Sequence, residues 1–102
     1  MIEHIVIMKF NEATTLEQMQ EGARRLEQLK DEIPGILEMK AGINFSERSQ
    51  GFEFALTSRF ESKEALEAYG PHPKHEEVVE YLNSIGLSDK LAVDFEHIDP
   101  VV

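Results

Sequence analysis

The sequence predicts an α+β domain, a four-stranded antiparallel sheet with helices on one face. Three observations carry that expectation. Four stretches alternate with the period of two that a strand requires, longer stretches repeat apolar residues at threes and fours as amphipathic helices do, and their order is βαββαβ.

The first strand runs from Ile2 to Phe10, with Ile2, His4, Val6, Met8 and Phe10 on one side and Glu3, Ile5, Ile7 and Lys9 on the other. Thr14 and Thr15 then offer an N-cap, with Glu17 or Gln18 three residues on. Leu16, Met19, Ala23, Leu26, Leu29 and Ile33 form the apolar stripe of the helix that follows, which Pro34-Gly35 stops. Leu37, Met39, Ala41, Ile43 and Phe45 alternate through a second strand, the polar run Ser46 to Gly51 turns the chain, and Phe52, Phe54, Leu56, Ser58 and Phe60 alternate through a third.

Ser62 caps a short helix containing Ala65, Leu66 and Tyr69. Gly70-Pro71 breaks that helix before another begins at Pro73 and ends at Gly86. In the last strand Leu91, Val93, Phe95 and His97 alternate with Ala92, Asp94, Glu96 and Ile98. This is the ferredoxin-like split βαβ arrangement, its second crossover broken into two helices.

A chain of 102 residues is expected to form one domain over 1–102, burying ~65% of its unfolded surface, enough for a core but little for a large private cavity. With 41% apolar and 29% charged residues it is too apolar to remain disordered. Twenty acidic against ten basic side chains leave a net charge of −10, which phosphate backbones and anionic lipid headgroups repel, so neither nucleic acid nor membrane is an expected partner. The absence of cysteine excludes disulfides and thiolate metal sites and fits a cytoplasmic location. The apolar stretch Ile5 to Met8 is far too short for a signal-peptide core or a membrane span. No glycine-rich phosphate loop, G-x-S-x-G or basic stripe occurs.

The sheet face turned away from the helices carries Ile5 and Ile7 mid-strand, with Ala55 and Thr57 on the third strand and Glu53 and Arg59 near its ends. An apolar patch with a polar rim predicts a homodimer through these sheet faces, although antiparallel sheets also tolerate a semi-polar outer face.

Three polar rings converge on the inner layer. His4 shares the inward face of the first strand, Tyr69 the inward stripe of the short helix, and His75 the stripe of Val78, Val79, Leu82 and Ile85. Each alone reads most simply as a satisfied core residue. Together, a phenol and an imidazole at a helix N-terminus, where imidazolium is disfavoured, form a general acid/base pair in which tyrosine donates a hydrogen bond to a carbonyl or enolate oxygen. A buried Tyr69 hydroxyl needs a partner or water, since an unpaired one costs roughly 1–3 kcal/mol. His72 is expected to cap the helix begun by Pro73 and so to point away from His75. With no H-E-x-x-H motif, no metal site is assigned; His97 is read as rim, and Glu76, Glu77 and Glu80 as a solvated helix face.

The runs His4-Ile-Val-Ile-Met-Lys-Phe10, Ile33-Pro-Gly35, Phe60-Glu-Ser-Lys-Glu-Ala-Leu-Glu-Ala-Tyr69 and His72-Pro-Lys-His75 resemble, in order and spacing, the stress-responsive dimeric α/β barrel (Dabb) family along nearly the whole chain. The resemblance implies a protomer whose sheet packs on a partner's to form a dimeric α/β barrel. The family includes olivetolic acid cyclase, a plant polyketide cyclase in which a tyrosine and a histidine promote an aldol condensation; they match Tyr69 and His75, and its first-strand histidine matches His4. Phe54 stands where that cyclase has a further histidine. The resulting expectation is a domain that binds a small apolar carbonyl ligand, without a cofactor, and performs cyclase- or lyase-like acid/base chemistry through His75, Tyr69 and His4. The alternative is a non-enzymatic, stress-related structural or binding dimer.

Overall fold

A computed structural model describes residues 1–98. Alternation of Ile2, Val6, Met8 and Phe10 with less buried neighbours produces β1 (Ile2–Phe10), which faces its apolar set to the helices. Helix α1 (Leu16–Glu32) opens on a full capping box: Thr15 Oγ1 accepts from the Gln18 amide while Gln18 Oε1 accepts from the Thr15 amide. Its stripe of Met19, Leu26 and Leu29 is buried, but Leu16, expected on that stripe, is 52% exposed in the first turn.

Strands β2 (Ile36–Ile43) and β3 (Phe54–Phe60) pair antiparallel, and the loop between them carries a fully open Phe45. The register shifts between Ile36 and Glu38. One extra residue in the strand reverses which side chains face inward. Ile36 therefore takes the buried place expected for Leu37, which turns outward, while Met39 resumes the predicted face.

Ser62 caps α2 (Lys63–Tyr69), accepting from the Ala65 amide at 3.1 Å. His72 caps α3 (Pro73–Ser84) through Nδ1, which accepts from the Lys74 amide at 3.1 Å. Strand β4 (Leu87–Glu96) begins four residues before the stretch whose alternation suggested it. Ser88, Asp89 and Lys90 give no apolar signal, yet β1 is long enough for Met8 and Lys9 to pair with Lys90 and Asp89, and for Phe10 to pair with Leu87 past the register shift at Ser88.

The strand order is β2-β3-β1-β4 with every neighbouring pair antiparallel, which is the ferredoxin-like βαββαβ topology. The helices cover one face, and the core lies between. Phe54 and Phe60 are wholly buried in it beside Leu26, Leu29 and Leu82, each such side chain contributing about 1.5–3 kcal/mol by leaving water. Phe54 meets Phe10 edge to face, with centroids 5.9 Å apart. Among the described residues no helix is long and apolar enough to cross a membrane.

Candidate functional site

Each of the three rings reaches the site by a different local rule. His4 is the second inward position of β1, and its carbonyl accepts from Ser58 Oγ at 2.9 Å across the β1–β3 pair, which fixes the strand at that point. Tyr69 is the last residue of α2, one turn below Ala65 and Leu66, and is 3% exposed. His75 lies in the first turn of α3, held over Tyr69 by the tight Gly70-Pro71-His72 link, in which the His72 amide donates to the Tyr69 carbonyl at 3.1 Å.

The structure brings the three together. The Tyr69 and His75 centroids are 4.2 Å apart, and those of His4 and Tyr69 are 6.2 Å apart at a steep angle. They line a cavity of about 210 Å³ whose other walls are mainly aliphatic, among them Val6, Met8, Leu56 and Val79. His72 and His97 are not part of it. Among the described residues no three His, Asp or Glu side chains are grouped as a metal ion would need.

His75 Nδ1 lies 2.8 Å from the Gly70 carbonyl oxygen. A carbonyl only accepts, so Nδ1 carries the proton and donates, which leaves Nε2 with a lone pair. Burial pushes the imidazole below its usual pKa, with Lys90 and His4 pressing the same way and the Gly70 bond and Glu76 opposing. A neutral ring with a basic Nε2 is the favoured state. For Tyr69 the displacement is upward and large, caused by desolvation, so the phenol keeps its proton. Among the described residues its hydroxyl has no hydrogen-bond partner, although the sequence had suggested it would find one or meet water. Tyr69 lines the cavity, and its buried hydroxyl is an orphaned donor complementary to an acceptor that a small shift of the wall would admit.

Two side chains of the site escaped the sequence reading. Asp94 is paired with His4 across the β1–β4 ladder and accepts a hydrogen bond from His4 Nδ1–H, which anchors the ring at that nitrogen. Lys90, on the same face of β4, lines both the cavity and a shallower hollow that shares Gly70, His75 and Val79 with it. The parity of β4 held a faint signal, because Lys90, Ala92 and Asp94 alternate as a set, but nothing showed that this polar set faces the helices. The apolar set, Leu91, Val93 and Phe95, faces away.

The fold is shared with solved structures. The Arabidopsis thaliana protein At3g17210 is 24% identical with a TM-score of 0.86, each chain covered over 100% of its length. A dimeric ferredoxin-like protein of unknown function from Jannaschia sp. CCS1 is 27% identical with a TM-score of 0.79, over 94% of this chain and 98% of that one. The hydroxynitrile lyase of Passiflora edulis has a TM-score of 0.80 at 18% identity, over 97% of this chain and 96% of that one, a likeness of fold alone. A search of curated proteins finds no match. The sequence model of the stress responsive A/B barrel domain, Dabb, matches residues 2–97, and with nearly its whole length so matched the chain belongs to that family.

Proposed function

We propose that the chain binds a small, largely apolar carbonyl compound in the cavity and performs cyclase- or lyase-like acid/base chemistry on it with its own side chains. The observation that carries this reading is the unpartnered Tyr69 hydroxyl beside a neutral His75 in an apolar hollow. A carbonyl oxygen accepts from Tyr69 Oη–H. His75 Nε2 takes a proton from the carbon next to that carbonyl, the electron pair moves onto the oxygen, and the phenol stabilises the resulting enolate. The imidazolium so formed is still anchored by the Gly70 carbonyl and returns its proton in a later step. His4, oriented by Asp94, shapes or polarises the far wall. A lyase among the fold neighbours is in keeping with such chemistry in this architecture.

Size narrows the substrate. Pockets for drug-sized ligands run from about 300 to 1,000 Å³, so a cavity of about 210 Å³ suits something smaller. The test is a screen of small aldehydes and ketones against the ring resonances of His75 and Tyr69, followed by turnover of any binder that reacts. His75→Ala is expected to slow turnover about 10²–10⁴-fold and Tyr69→Phe about 10²–10³-fold. Unchanged turnover in both variants refutes the assignment.

The same reading places the working unit in a homodimer. Ile5 and Ile7 lie on the outer sheet face beside Val93 and Leu91, with Phe95 next to Glu3. Leu91, Val93 and Phe95 are 55%, 54% and 47% exposed, a strip that a second sheet would cover. Ion pairs of Arg59 with Glu3, at 3.0 Å, and with Glu38 make a polar margin. The Jannaschia neighbour is described as dimeric.

A non-enzymatic structural or binding role is the second reading, favoured by the way His4, Phe60, Tyr69 and His75 pack as one aromatic cluster, edge to face except for the tilted Tyr69–His75 pair. It predicts strong destabilisation by His75→Ala and no saturable ligand in the screen.

A further inference from the structure

The geometry points to Leu66 as the residue that sets how long a ligand this cavity accepts, an inference that rests on the reading of the cavity as a carbonyl-compound site. A second hollow of about 470 Å³ lies outside the first, walled by Ile2 and Phe95 and edged by Lys63, Glu67, Asp94 and Glu96. Leu66 lines both hollows. The rest of the partition is the His4–Asp94 pair: His4 lines the inner cavity, Asp94 the outer groove, and a hydrogen bond joins them.

These two parts of the wall differ in kind. His4 and Asp94 are fixed by strand register as well as by their bond. Leu66 is a half-buried aliphatic side chain on a seven-residue helix, with no polar tie. Shortening it joins the hollows without breaking a ladder. Counting about 30 Å³ for each water-sized group, the inner cavity of about 210 Å³ holds about seven heavy atoms, the size of hexanone. A longer chain anchored at Tyr69 meets Leu66. Beyond it the second hollow, bordered by Ile2 and Phe95 among charged side chains, gives the chain room to continue.

Straight-chain methyl ketones from butanone to nonanone test this, with dissociation constants read from the His75 and Tyr69 ring resonances. In the native protein affinity is expected to rise about fourfold per methylene, the increment for burying one such group, and to level off near hexanone. In Leu66→Ala the rise continues to octanone or nonanone; in Leu66→Phe it stops earlier. The same break point in native protein and Leu66→Ala overturns the inference while leaving the site intact. Should Leu66→Ala fail to fold, the Phe variant decides: an earlier break supports the assignment and an unmoved one refutes it. If no ketone perturbs either ring in the native protein, the reading of the site fails and this inference with it.

Discussion

At the scale of single residues, the decisive quantity is the protonation state of His75. Its folded pKa is depressed, so the unfolded chain binds the proton more readily, and the stability this contributes is present above the ordinary histidine value of about 6.5 and lost as pH falls through the lower folded value. The unfolding midpoint is therefore expected to fall between about pH 7 and pH 5 more steeply in the native protein than in His75→Gln, which has no proton to gain. Equal slopes would show that the imidazole is not held neutral. Ligand binding through Nε2 is expected to weaken over the same interval. The three rings were legible in the sequence because each occupies an inward position of a clear repeat. Asp94 was not, since its orientation depends on a strand pairing that no local pattern encodes, and the Gly70 carbonyl was not, since a backbone oxygen leaves no mark on residue type.

The elements were read most accurately where capping and periodicity agree, as at Thr15 with Gln18, Ser62, and His72 with Pro73. Errors fell where register or partner length decides: the extra residue that turns Leu37 outward, and the polar start of β4 that exists because β1 reaches far enough to pair with it. The junction before β4 is also unforgiving of substitution. Gly86 has φ +115°, and a Cβ there would lie 2.4 Å from Asn11 Nδ2 and 2.5 Å from Thr14 Oγ1. Both residues are tied in place, because the Asn11 backbone amide donates to the Gly86 carbonyl, Asn11 Oδ1 accepts from the Ala13 amide, and Thr14 Oγ1 donates to the Ile85 carbonyl. Gly86→Ala combines backbone strain with a collision and is expected to cost about 2–4 kcal/mol, measurable by urea unfolding. A loss below about 1 kcal/mol would mean that the turn relaxes freely.

For the molecule as a whole, the proposed dimer rests on the outer sheet face. Ile5→Lys puts an ammonium in the centre of the proposed interface, where an unpaired buried charge costs about 3–5 kcal/mol, so light scattering at micromolar concentration is expected to report a dimer for the native chain and a monomer for the variant. A native monomer would refute the pairing. The sequence disclosed only half of this surface, Ile5 and Ile7; the strip of Leu91, Val93 and Phe95 became visible once β4 was aligned against β1. His4 and Ile5 are consecutive, and the pleat sends one ring toward the cavity and the other side chain to the opposite surface. A single peptide unit thus links the proposed interior site mechanically to the proposed contact between subunits. A slip of β1 by one residue would exchange the two sets of side chains at a stroke, so neither role can drift along this strand without carrying the other with it.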